Sequence, residues 1–294
     1  MDIDEIRAEL KALLADTSLF DETKLHARNE AIENIKYAGE VLSIPGYAGK
    51  LDPVYQQALS LERKLTAINQ SLFERVREKI SKGQYTPESL RATLDSFTNY
   101  TPGKKHLPDY ETDGLDSLLE ALFFPTSAPG ESRKRIAGMI RYEATPARVV
   151  LEMIDNLRLM PDDIFFDIGS GLGFVVMLVN LLTNIRCVGI EYDPAYCEYA
   201  RNSAQSLNLS GISFIQGDAR NTNLNDGTIF YMFTPFVNQV FNSVLERLRY
   251  TAIRKRIYIC SYGTITFNLA KLPWLQIRDP AMEHDFRLAV FTSK

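Results

Sequence analysis

The sequence is poor in the residues that build covalent or metal frameworks. Its 294 residues include three cysteines, Cys187, Cys197 and Cys260. Their number is odd and no two form a C-x-x-C pair, so neither a disulfide framework nor a cysteine zinc site is indicated, and a reducing compartment suits the chain. The three histidines, His26, His106 and His284, are scattered without ligand spacing, so no metal site is expected. Nowhere do about eighteen apolar residues stand together, and the opening stretch MDIDEIRAEL is charged where a signal peptide needs an apolar run. A cytoplasmic protein is the expectation. No single-sign field dominates either, because 33 basic residues face 37 acidic ones for a net charge of −4, which argues against a protein that coats nucleic acid. The sequence does supply apolar residues, 45% of the chain, and length enough for one large domain or two small ones.

From Ile3 to about Phe124 the apolar residues recur at steps of three and four. The clearest run, Val54, Ala58, Leu61, Leu65, Ile68, Leu72, Val76 and Ile80, predicts one long amphipathic helix. Around it the pattern predicts a helix carrying Ile6, Leu10 and Leu13, and a second from Glu22 to Leu42 that ends before Pro45 and Gly46. Shorter ones are expected after Pro87 and after Thr112. The small, turn-rich stretch from Thr126 to Ser132 then breaks the pattern. It divides the chain into an all-α N-terminal domain, residues 1–130, and a second domain, residues 131–294. In the second domain strands are expected at Ile164–Ile168, Arg186–Glu191, Ile212–Gln216, Thr228–Phe233 and Arg256–Tyr262, with weaker ones near Leu275 and Leu288. Helices are expected between them at Phe174–Leu182, Pro194–Leu207 and Val237–Arg249. Such alternation predicts an α/β fold with a parallel sheet covered on both faces.

The chemistry concentrates where the first strand ends, in Phe165-Phe-Asp-Ile-Gly-Ser-Gly-Leu-Gly-Phe174. Gly169, Gly171 and Gly173, with Ser170 between them, let backbone approach a ligand at the carboxyl end of the strand. A dinucleotide fingerprint needs glycine at 174, where this chain has phenylalanine. The spacing suits instead a ligand whose amino acid part sits at the turn, with Asp167 anchoring its ammonium. Glu191 ends the second strand at the offset where a carboxylate bridges ribose hydroxyls. Asp218 follows the third strand, placed to accept from an adenine amino group while Ala219 offers its N–H.

These placements, Asp167 to Gly173, then Glu191, then Asp218, resemble the cofactor motifs of class I S-adenosylmethionine-dependent methyltransferases over roughly residues 140–292. The resemblance implies S-adenosyl-L-methionine as cofactor and a Rossmann-like sheet of seven strands ending in an antiparallel hairpin. The segments Thr145–Asp167 and Ile229–Phe236 are similar to those of the Dot1-type protein lysine methyltransferases. In that family a loop with a Tyr-Gly-Glu-Thr pattern folds over the cofactor. Here it reads Tyr142-Glu-Ala-Thr145, so the resemblance carries over Tyr142 and Thr145 as cofactor contacts, with Glu143 only a shifted counterpart of the family's glutamate.

The fourth strand departs from the family, which has an asparagine pair there. This chain has Met232-Phe-Thr-Pro-Phe236, without the amide that would orient an amine lone pair. Positioning supplies much of the acceleration of methyl transfer. Thr234 and Phe233, with Tyr142, are therefore the candidate catalytic positions, and Tyr231, Phe233 and Phe236 are a candidate aromatic wall. Tyr262 and Thr264 can border the acceptor pocket or simply end a strand. Two basic runs, Arg133-Lys-Arg135 with Arg141 and Arg247 to Arg256, serve as solvated surface or as a landing for an acidic partner. The expected function is methyl transfer to an undefined acceptor, with a protein side chain of lysine type slightly preferred and a protein or small molecule ahead of nucleic acid. The alternative is a non-catalytic S-adenosylmethionine-binding protein whose helical domain binds a partner.

Overall fold

The computed structural model describes residues 3–44, 52–97, 114–278 and 287–294. The helix boundaries expected at Pro45, Gly46 and Thr112, and the histidines His106 and His284, lie outside these described residues. Three helices open the chain: α1 (Ile3–Ala15), α2 (Leu25–Leu42) and α3 (Pro53–Ser81). Asp52 starts α3, because its carboxylate accepts from the backbone N–H groups of Val54 and Tyr55 while Pro53 gives up the N–H that would go unpaired. At 1.5 Å per residue α3 is about 43 Å long, and its two halves bury their stripe against different partners. Ala58, Leu61 and Leu65 pack with Ile6, Leu10, Ile32 and Ile35 of α1 and α2 in a separate cluster. Leu72, Val76 and Ile80 join α4 (Pro87–Asp95) and α5 (Gly114–Phe123), and with them the layer that covers the sheet.

The sheet has seven strands in the order β3-β2-β1-β4-β5-β7-β6. β1 (Ile164–Ile168), β2 (Arg186–Glu191), β3 (Ile212–Gln216), β4 (Ile229–Phe233) and β5 (Tyr258–Tyr262) run parallel, whereas β7 (Ala289–Ser293) is antiparallel to β5 and to β6 (Leu275–Ile277). This is the expected α/β architecture with its closing hairpin. Alternate residues of β1 serve opposite layers. Phe165 packs under α6 (Ala147–Asn156), α7 (Phe174–Thr183) and α8 (Pro194–Ser206), while Phe166 and Ile168 pack with α9 (Asn238–Ala252) and α10 (Ile265–Leu269) on the other face. Strand order reverses between β1 and β4, and it is beside such a reversal, at the carboxyl ends of the strands, that sheets of this type bind ligands. Register sets Asp167 beside Gly189 on one flank and Tyr231 on the other.

The helical half is bonded to this sheet layer at several points. Arg91 of α4 forms a bidentate pair with Asp155 of α6 at 3.0 and 2.9 Å, and Asn208 donates to the Ser81 carbonyl at 2.8 Å. No helix among the described residues is long and apolar enough to cross a membrane.

Candidate functional site

The carboxyl ends of β1 to β4 border one cavity, and a strap formed by residues 131–146 crosses it. The glycine turn below the strap adopts backbone that side chains resist: φ is +89° at Gly169, +51° at Gly171 and +85° at Gly173. At Gly171 a Cβ would lie 2.1 Å from the Tyr142 ring, so the turn and the strap meet only because nothing projects there. Gly173 serves packing instead, since a Cβ there would meet the Phe214 ring at 2.6 Å.

Asp167 is 3% exposed, lines the cavity, and receives no hydrogen bond from the described residues. Burial, helped by the neighbouring charge of Glu191, pushes its carboxyl up to about 8. A buried carboxylate without a donor is costly, and a ligand ammonium would remove that cost. Ser170, beside it, has a buried hydroxyl without a hydrogen-bond partner. Glu191 holds two backbone donors, the N–H of Gly171 on Oε2 and that of Asp193 on Oε1, both at 2.7 Å. Burial raises its carboxyl despite these bonds. At the third strand Asp218 accepts the side chain of Arg220, with Nη2 to Oδ2 at 2.6 Å, and this guanidinium keeps the carboxyl low. Ala219 is buried beside it on the cavity wall.

The strap is pinned along its length. Asp193, the N-cap of α8, accepts from Ala195 N–H and also from Ser132 N–H (2.7 Å), Ser132 Oγ (2.8 Å) and Arg133 N–H (2.7 Å). Burial alone would raise this carboxyl, yet those donors hold it below the usual carboxylate range. In its middle the strap is stitched to the turn after β4, with Ile140 N–H to the Pro235 carbonyl at 3.0 Å and Val237 N–H to the Gly138 carbonyl at 2.7 Å. Tyr142 lies edge-on to Tyr196, ring centroids 5.7 Å apart. Thr145 shares a 3.1 Å hydrogen bond with the Tyr231 hydroxyl.

At the other end Phe233 packs edge-on against Tyr262, centroids 4.8 Å apart, and the exposed Glu143 also lines the cavity. Thr234 does not line it. Its φ is +39°, rare for a β-branched residue, and its hydroxyl donates to the Tyr262 carbonyl at 3.2 Å while accepting from Ile265 N–H at 3.4 Å.

The structure thus gathers Tyr142, Thr145, Asp167, Gly169, Ser170, Glu191, Asp218, Ala219 and Phe233 around one space, while Gly171 (against Tyr142), Gly173 (against Phe214 and Ala200) and Thr234 do not line it. Ser132 and Asp193 went unnoticed in the sequence. An aspartate before proline at a helix start signals a cap, but nothing local marks its second set of partners, sixty residues away.

The residues fit S-adenosylmethionine. A donor-free carboxylate faces the ammonium position, a side-chain-free turn faces the amino acid part, and a second carboxylate and a small residue follow on the next two strands. Residues 139–225 match the family described as histone methylation protein DOT1. A protein-lysine N-methyltransferase from Saccharolobus islandicus is 25% identical over 114 residues, which is 37% of this chain and 69% of that protein. Among solved structures, an RNA methyltransferase from Salinibacter ruber in complex with S-adenosyl-L-homocysteine is similar at TM-score 0.39 and 22% identity, over 51% of this chain and 92% of that one. A SAM-dependent methyltransferase from Aquifex aeolicus is similar at TM-score 0.41 and 16% identity, over 50% and 93%. Strand order, cavity and family match together support an S-adenosylmethionine-dependent methyltransferase of class I whose residues 139–225 are Dot1-like.

Proposed function

We propose that this site methylates a protein side chain of lysine type. The observation that carries the reading is the acceptor end of the cavity, where Phe233, backed edge-on by the buried Tyr262, and the carboxylate of Glu143 offer an aromatic ring and a negative charge to an alkylammonium. The family description and the printed name of the Saccharolobus relative point the same way.

When bound, S-adenosylmethionine supplies an electrophilic methyl group for in-line displacement. In this reading Asp167 and the glycine turn hold the ammonium and amino acid part, Glu191 the ribose, and Asp218 with Ala219 the adenine. Tyr142 and Thr145 cover the cofactor, and Phe233 walls the path of the acceptor. Thr234 acts from outside the cavity, as the tie that fixes the turn carrying Phe233. In this reading residues 131–294 are the transferase domain and residues 1–130 the helical domain; α1, α2 and the first half of α3 have a core of their own, whereas the second half of α3, α4 and α5 share the core of the sheet layer.

The test is incubation with methyl-labelled cofactor and native protein extract, followed by hydrolysis and amino acid analysis. Methyl-lysine is the expected product. Label confined to RNA, to a small molecule or to another amino acid would overturn the lysine assignment, and cofactor binding without any labelled product would favour the partner-binding alternative.

A further inference from the structure

The first turn of α6 is paired in an unusual way. The N–H groups at a helix start need acceptors from outside the helix, and the residue that normally provides one is here Pro146, which makes no side-chain cap. Thr145, just before it, has a hydroxyl able to accept from the N–H two residues on, in the local turn that threonine favours. In this structure that hydroxyl is turned away, onto Tyr231 of the cavity wall at 3.1 Å. The Ala147 N–H is instead met by Asp116 Oδ1 at 2.7 Å, from α5 in the helical half.

From this arrangement we infer that Asp116 is a positioning residue for the cofactor site. It relieves Thr145 of capping α6, so that Thr145 stays on Tyr231 and the strap leaves Tyr142 over Gly171. Without Asp116, the uncapped Ala147 N–H competes for the Thr145 hydroxyl. When the hydroxyl turns to it, Tyr231 loses its partner and the strap end shifts by one side chain. The helical half thereby takes part in cofactor binding through one carboxylate, a role that neither the strand motifs nor the cavity lining discloses. α5 is itself held from α3, where Arg77 donates to the carbonyl of Leu122. The inference rests on the cofactor reading of the cavity, and the unmodified protein tests that reading by itself.

The experiment measures S-adenosyl-L-homocysteine affinity and thermal midpoint for D116A, D116N, T145V, D116A/T145V and R91A in the full chain. R91A breaks the ion pair between α4 and α6 and serves as the control for loosening the same interface. D116A is expected to weaken the S-adenosyl-L-homocysteine complex about tenfold, the worth of a single hydrogen bond to a charged group. D116N, which keeps the acceptor oxygen, is expected within about twofold of the unmodified protein by the same scale. In the T145V background D116A should cost no further affinity, because the hydroxyl that it would divert is already gone. If D116A gives no folded protein, D116E, which shifts the oxygen by one methylene, is read the same way. Unchanged affinity in D116A or D116E would overturn the inference. So would full additivity in the double variant, or a loss no greater than that of R91A at equal loss of thermal midpoint.

Discussion

At the cofactor end of the cavity the backbone leaves ordinary geometry at glycines, with φ from +51° to +89°, and the carboxylates of Asp167 and Glu191 face inward. At the acceptor end it leaves ordinary geometry at Thr234, φ +39°, and the polar side chain faces away, toward β5 and α10. Both ends pay for unusual conformation, but for different returns. The glycine turn gains closeness, since a bare backbone lets Tyr142 and a ligand approach it. The Thr234 turn gains rigidity, because two hydrogen bonds to neighbouring elements hold a strained residue in place. In the proposed reading, recognition of the cofactor falls to named polar groups, whereas recognition of the acceptor falls to an aromatic ring and the carboxylate of Glu143.

The largest break in that comparison is expected at Gly171. G171A combines a left-handed backbone with a Cβ inside the Tyr142 ring. With strain of roughly 1–3 kcal/mol, S-adenosyl-L-homocysteine affinity should fall by up to about 100-fold, and titration calorimetry measures it. Affinity equal to that of the unmodified protein would separate the strap from the cofactor altogether. Next comes E191A, which removes the expected ribose acceptor and frees the N–H groups of Gly171 and Asp193. A loss of about 1–3 kcal/mol in cofactor binding follows from those unpaired groups, and an unchanged dissociation constant would contradict the role of Glu191.

Asp167 gives a pH signature. Its carboxyl titrates at about 8 in the cofactor-free protein and in the ordinary carboxylate range when unfolded, so between those values the folded chain holds a proton that the unfolded chain releases. Stability of the cofactor-free protein should accordingly fall as pH rises toward 8, and thermal midpoints of D167N should lose that slope. An ammonium ligand favours the ionised carboxylate, so binding should expel a proton and tighten as pH approaches 8. Calorimetry in buffers of different ionisation enthalpy detects the proton, and its absence would remove Asp167 from the ammonium site. The smallest effect belongs to T234A. Loss of two long hydrogen bonds should lower stability by about 0.5–1.5 kcal/mol and slow methyl transfer more than it weakens cofactor binding. The reverse pattern would bring Thr234 back into contact with the cofactor.

Most of the architecture was legible because local periodicity and burial agree. The stripe from Ala58 to Ile80 became a buried helix face, and the strand at Ile164–Ile168 formed with its expected ends. The carboxylates Asp167 and Glu191 were legible as candidates because they fall in the last positions of predicted parallel strands, the edge at which such sheets bind ligands. Thr234 was not, because neither composition nor spacing reveals the sign of one φ angle. Asp116 and Asp193 escaped too, because each acts on a backbone N–H distant in sequence.

The sequence by itself determined the α/β alternation and the helical half, which follow from short-range patterning against water, while motif spacing marked the candidate cofactor residues and the family resemblance implied the count of seven strands. Only the tertiary structure decided that α4 and α5 share the core of the sheet layer, that the strap is latched by Asp193 and that Ala147 is capped by Asp116. Those features depend on which distant hydrogen-bonding groups are buried together. Once buried, an N–H must find an acceptor wherever the packed chain provides one.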